Sequence, residues 1–270
     1  MKAPEGITIE TSTLCNAKCL ICPNHSNPRP AYYMPEHEFM EILRFFPNLK
    51  GVALCGMYEP LLDSRLDFIL TDIEKIHPQA EVAIFTNGSL LMSQIRHMLL
   101  NHANLKNLIV SIHGFSKEVY ESIMVGLNRD QVYSNVLSLM QEIGTNPEPQ
   151  VSVNFIRIKQ NVHELPEFRN FWKDKVDVVS DFEVMNWRGA VSFENLAYET
   201  PKHIRACPMY EVPLVIDAHG NVVRCCYCFD RNYGHVLKGG LERWLNKKWD
   251  TEPHTYPKND CYNCVGWRHY

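Results

Sequence analysis

Apolar residues in the first two thirds of the chain gather into six short runs: GITIETS, GVALCG, EVAIFTNG, NLIVSIHG, QVSVNFIRI and SDFEVMNW. Each is rich in β-branched or aromatic residues and is bounded by turn-forming residues, which predicts strands. Between them apolar positions recur at helical spacing over roughly 36–46, 62–76, 91–102, 116–143 and 163–173, the fourth broken near Gly126. Strand and helix alternating in this way predict a parallel sheet with helices on its outer face. The expected fold class is α/β, a partial (β/α)6 TIM-type barrel spanning 1–195.

After residue 190 the rhythm changes. VPLVIDAHGNVVRC reads as a β-hairpin turning at Asp217–Asn221, GGLERWLNKKW as a short helix, and NDCYNCVGWRHY as a tail. These features predict a second, small hairpin-and-helix domain over 200–270. A core that small needs a staple, and a metal cluster would serve.

Parallel α/β architectures place chemistry at the C-terminal ends of their strands. Polar residues stand there in all six units. Cys15, Cys19 and Cys22 follow strand 1, Glu59 follows strand 2, and Thr86 and Asn87 end strand 3. Ser111 and His113 end strand 4, Arg157 and Asn161 end strand 5, and Asn186 and Arg188 end strand 6. Polar turn residues are common at any strand end, so the joint placement beside three cysteines carries more weight than any single residue.

Composition narrows the function classes. A net charge of −4 leaves no nucleic-acid footprint. No long apolar run predicts a membrane span, and the start MKAPEGITIE lacks the apolar core of a signal peptide. The expected location is therefore the reducing cytoplasm, where clustered cysteines are metal ligands rather than disulfides. The ten cysteines form two groups, Cys15, Cys19 and Cys22 at one end and Cys207, Cys225, Cys226, Cys228, Cys261 and Cys264 at the other, with Cys55 apart. The long gap between them predicts two sites. Three thiolates without a fourth ligand suit a [4Fe–4S] cluster with one open iron better than structural zinc, which takes four protein ligands.

CNAKCLIC after the first strand resembles the cysteine motif of the radical SAM superfamily. CGMYEPLL at 55–62 is similar to that family's glycine-and-glutamate motif, with Gly56 and Glu59 matching and Tyr58 standing where a second glycine is usual. FTNG, VSIHG and IRIKQNVHEL resemble the ends of the family's third, fourth and fifth strands. The resemblance implies a cluster held by Cys15, Cys19 and Cys22, with S-adenosylmethionine (SAM) on its open iron. It implies Gly56, Glu59, Thr86, Asn87 and Ser111 as SAM-binding residues. The arginine that many relatives carry near Met124 is absent, which leaves Arg157 as the candidate for the SAM carboxylate.

The C-terminal group resembles the Twitch form of the SPASM domain. Cys207, Cys225, Cys261 and Cys264 match the ligands of an auxiliary [4Fe–4S] cluster, with Gly220 at the hairpin turn. A four-cysteine zinc ribbon is the alternative. Cys226 and Cys228 are left over, either incidental or a catalytic thiol that returns a hydrogen atom to the substrate. Cys55, in an apolar strand, is expected to pack in the core.

The implied function is oxidation of a small polar metabolite, such as a sugar or cyclitol, or of a peptide. The implied electron donor is a flavodoxin or ferredoxin. No peptide-recognition segment precedes strand 1, which favours the metabolite. Epimerisation and a non-catalytic iron–sulfur role are the competing readings.

Overall fold

Six strands pair in order and run parallel: β1 (Gly6–Ile9), β2 (Gly51–Leu54), β3 (Glu81–Thr86), β4 (Leu105–Ser111), β5 (Gln150–Arg157) and β6 (Val178–Glu183). They come from a computed structural model that describes residues 4–185, 187, 190–198, 214–223, 225–226 and 232–249. The helices α1 (Glu36–Phe45), α2 (Leu66–Ile76), α3 (Ser93–Leu100), α4 (Lys117–Ile123), α5 (Arg129–Ile143) and α6 (Leu165–Trp172) fill the crossovers. The expected α/β partial barrel is thus the observed architecture.

Each helix docks one apolar stripe on the sheet. In α1 that stripe is Phe39, Ile42 and Leu43, and in α2 it is Leu66, Ile69, Leu70 and Ile73. Each such side chain contributes about 1.5–3 kcal/mol when fully buried. Alternation along the strands sends Val82 and Ile84 of β3 and Val151, Val153 and Phe155 of β5 into this core. The intervening residues face the other way. Ser111 and Asn154 are register partners on neighbouring strands, so they share that inner face.

The span expected to form a second domain is, in its described part, continuous with the barrel. Strand β7 (Leu214–Ile216) pairs parallel with β1, and β8 (Asn221–Val223) and β9 (Asn232–His235) follow antiparallel. The result is one nine-stranded sheet in the order β6-β5-β4-β3-β2-β1-β7-β8-β9. Leu214, Ile216, Val222 and Val236, together with Leu241 and Trp244 of α8 (Gly240–Trp249), belong to the same buried cluster as the barrel residues. The physical reason lies in β1, whose outer edge would otherwise expose unpaired backbone groups. A short helix α7 (Phe193–Leu196) follows β6. No helix among the described residues is long and apolar enough to cross a membrane.

Candidate active site

The cysteine loop after β1 is held by backbone hydrogen bonds rather than by its own secondary structure. Lys18 N–H donates to the Val125 carbonyl at 2.8 Å and Leu20 N–H to the Ile123 carbonyl at 3.0 Å. Both acceptors lie where the helical run 116–143 breaks between α4 and α5. Gly126 there has φ +95°, and a Cβ on it would lie 3.2 Å from the Asn16 carbonyl oxygen. The break therefore frees carbonyls to grip the cysteine loop, and glycine is needed both for the left-handed backbone and for the close approach. Met124 beside it puts its sulfur 3.5 Å from the Cys19 sulfur.

A second tether runs to strand β3. The Asn87 side-chain amide donates to Asn16 Oδ1 at 2.8 Å, Asn16 donates to Ser89 Oγ at 2.9 Å, and Asn87 Oδ1 accepts from the Ser89 N–H and hydroxyl. A third tether is the Glu59 N–H donating to the Leu14 carbonyl at 2.8 Å.

Glu59 is 2% exposed. Its Oε1 accepts from the Thr86 hydroxyl at 2.7 Å and the Leu61 N–H at 3.0 Å, and its Oε2 accepts from the Asn87 N–H at 2.7 Å. Desolvation outweighs these three hydrogen bonds and pushes its carboxyl up to about 7. No cationic side chain among the described residues neutralises it.

The glycine of the motif has an equally local cause. A Cβ at Gly56 would lie 2.3 Å from Glu10 Oε1. Glu10, fully buried at the end of β1, takes a bidentate Arg29 guanidinium at 2.7 and 2.9 Å and accepts the Met57 N–H at 2.7 Å. Arg29 also donates to the Met57 carbonyl at 2.9 Å. This pair binds the segment after the cysteines to the glycine loop, and sequence reasoning missed both residues. The only advance signal was a charged residue inside an apolar strand. Tyr58, in place of a second glycine, donates its hydroxyl to the Ile9 carbonyl at 3.4 Å.

These elements enclose a cavity of about 360 Å³ at the C-terminal ends of the strands. Cys15, Cys19, Cys22, Gly56, Glu59, Thr86, Asn87 and Ser111 all line it, joined by His113 and Asn154. Arg157 does not. It turns to β6, 3.3 Å from Asp181 and 3.5 Å from Glu183, so the strand-end position that suggested it points its side chain out of the cavity. Cys55 corrects another expectation: it is only partly buried and faces the cavity, where Cys226 also reaches. Cys225, described as well, is not among the lining residues. Cys207, Cys228, Cys261, Cys264, Asn186 and Arg188 lie outside the described residues.

The donor set tests what the cavity can hold. Burial pushes all three loop thiols up, Cys15 to about 11; the neighbouring thiols add to the rise at Cys15 and Cys19, and Glu10 adds to it at Cys22. A cationic centre reverses that logic and takes them as thiolates. No three His, Cys, Asp or Glu side chains among the described residues converge tightly enough for a single metal ion. Thiols spread around one cavity fit a multi-iron cluster, in which each takes a different iron. The uncompensated Glu59 beside them fits an ammonium group.

Comparison with known proteins agrees with this geometry. The chain is 28% identical over 174 residues to a GTP 3′,8-cyclase of Limosilactobacillus fermentum, covering 62% of this chain and 50% of the relative. It is 26% identical over 219 residues to one of Stenotrophomonas maltophilia, covering 79% and 63%. The chain thus spans little more than half the length of the curated relatives it matches. Among solved structures, BtrN in complex with AdoMet and 2-DOIA is similar with a TM-score of 0.68 and 18% identity, over 97% of this chain and 93% of that one. SuiB of Streptococcus suis bound to its precursor peptide SuiA is similar with a TM-score of 0.75 and 14% identity, over 98% and 70%. The model of the radical SAM superfamily matches residues 9–171, the span that carries the cysteine loop, the Glu59 loop and strands β3 to β5. With its motif residues gathered on one cavity, the chain belongs to the radical SAM superfamily.

Proposed function

We propose that this radical SAM enzyme oxidises a polar substrate, a sugar, cyclitol or peptide. The observation that carries the reading is the convergence of Cys15, Cys19, Cys22 and Glu59 on one cavity. When bound there, the cluster and SAM supply a 5′-deoxyadenosyl radical that removes a hydrogen atom from the substrate. The chain's own residues hold and shield that chemistry. Cys15, Cys19 and Cys22 hold the iron. Glu59 takes the SAM amino group, with Thr86 and Asn87 fixing the carboxylate. Ser111, on the inner face, is placed for a further SAM contact. Phe85, Ile156, Phe182 and Trp187 supply apolar walls that exclude water.

Oxidation rests on the second cysteine group. Cys207, Cys225, Cys261 and Cys264 make a complete four-cysteine set for an auxiliary [4Fe–4S] cluster without drawing on Cys226 or Cys228. One observation favours a second reading, epimerisation: Cys226 lines the cavity, where a thiol can return a hydrogen atom to a substrate radical.

Anaerobically reconstituted protein should hold about eight irons per chain, as two four-iron clusters. Replacing Cys15, Cys19 and Cys22 together with Ala should remove about half the iron and all reductive SAM cleavage. Iron analysis and assay of 5′-deoxyadenosine read the two effects. Unchanged iron would defeat the assignment of the loop.

A further inference from the structure

Arg29 and Glu10 form an ion pair whose side chains are 22% and 0% exposed. Neither residue lines the cavity, yet both hold Met57, which does. The proposed reaction assigns the pair no part beyond joining two loops.

The pair has a direction. Its carboxylate end lies against Gly56, where a Cβ would meet Glu10 Oε1. Its guanidinium end lies toward the cysteine loop. Arg29 Nη2 donates to the Met57 carbonyl at 2.9 Å, and the same oxygen accepts from the Asn24 side-chain amide at 2.5 Å. Asn24 lines the cavity two residues beyond Cys22, and its backbone N–H donates to the Cys22 sulfur. One carbonyl oxygen thus links the guanidinium to a residue bonded to a cysteine of the loop. The electrostatics run the same way. Burial pushes the Cys15 and Cys22 thiols up, Arg29 opposes the rise at both, and at Cys22 it outweighs Glu10. The Glu10 carboxylate also acts at Cys55, on the side of Gly56.

A four-iron cluster takes up one electron on reduction, with no bond formed or broken, and gains a negative charge. The donor is the flavodoxin or ferredoxin that the radical function requires. A positive charge fixed nearby and shielded from water favours the reduced state, and net charge is one of the factors that set a cluster's potential.

We infer that Arg29 is a positioning residue for the cluster of Cys15, Cys19 and Cys22, and that the directed Arg29–Glu10 pair raises the reduction potential of that cluster. The inference rests on the proposed radical function and adds to it a residue that touches neither SAM nor substrate.

The test uses the full chain reconstituted with iron and sulfide, titrated with dithionite in the presence of mediators and read by electron paramagnetic resonance. The signal of the loop cluster is the one missing when Cys15, Cys19 and Cys22 are all replaced with Ala. Arg29→Gln, which removes the positive charge, should lower the midpoint potential of that signal. The expected size is about tenfold in the reduced-to-oxidised ratio, or about 59 mV for one electron. Glu10→Gln, which leaves the guanidinium uncompensated, should raise it by a similar amount. Arg29→Lys, which keeps the charge and loses the fork, should stay within about threefold of wild type in that ratio. A merely structural clamp predicts no opposition of sign, because every variant would only loosen the loop. Should one Gln variant fail to retain iron, the sign of the other and the Lys variant carry the test. Unchanged potentials in the Gln variants, shifts of one sign in both, a Lys variant that moves as far as Arg29→Gln, or loss of the cluster in all three each overturns the inference. A full signal in the protein without the three cysteines defeats the radical reading instead, so the two failures are distinguishable.

Discussion

Glu59 is a carboxylate with three hydrogen bonds, no counter-charge among the described residues and a face on the cavity. Its pKa of about 7 lies above the ordinary carboxylate value because it is desolvated, so the anion predominates only above that pH. An ammonium partner needs the anion. SAM affinity should therefore rise about tenfold from pH 6 to pH 8 and level off above, as the ionised fraction does. Glu59→Gln should flatten this profile and lose about 2 kcal/mol, roughly thirtyfold in Kd, with the iron content unchanged. Titration of reconstituted protein with SAM at each pH reads both effects, and a variant that binds as wild type does would remove Glu59 from the cofactor site. Gly56 and Glu59 were legible in the sequence because a motif at fixed spacing names them. Glu10 and Arg29 were not, since their pairing exists only once a strand end and a loop 19 residues later meet. Arg157 misled for the converse reason: strand position predicts which end a residue occupies but not which way its side chain turns toward competing carboxylates.

Among the elements, the cysteine loop depends most on a piece of chain far from it in sequence. The helix break near Gly126 was legible from the glycine itself. Its purpose was not, because the Ile123 and Val125 carbonyls find their partners in Leu20 and Lys18 only through the tertiary fold. Gly126→Val places a β-branched residue at φ +95° with its Cβ against the Asn16 carbonyl. Left-handed backbone costs a non-glycine residue about 1–2 kcal/mol, and a β-branched one more. The strain falls on the loop rather than the core, so the expected result is weaker cluster retention with the barrel intact. Iron per chain after reconstitution and desalting should drop well below wild type while far-ultraviolet circular dichroism stays the same. Full iron retention would show that the loop holds its cysteines without this tether.

At the scale of the whole molecule, alternation of strand and helix was enough to read the parallel barrel, because each crossover carries its own local signal. The joining of the C-terminal hairpin to β1 was not legible: both are short apolar strands, and nothing in either names the other as partner. That junction brings Cys226 to the cavity that also holds Cys15, Cys19 and Cys22. The position makes oxidation and epimerisation separable by experiment. Thiol protons exchange with water, so a hydrogen atom returned by Cys226 in D2O would label one carbon of the product with deuterium and otherwise leave the substrate's mass unchanged. Oxidation removes two hydrogens and gives a product about two mass units lighter with no such label, a balance set by the loss of two electrons and two protons. The expected outcome is the lighter product, with turnover surviving in Cys226→Ala and Cys228→Ala. On the proposed reading, Cys207→Ala or Cys261→Ala should instead release 5′-deoxyadenosine without forming product, because the proposed auxiliary cluster would lose a ligand and with it the role of accepting the substrate's electron. Mass analysis of the product in D2O decides between the two, and deuterium that disappears in Cys226→Ala would transfer the assignment to epimerisation with Cys226 as the donor.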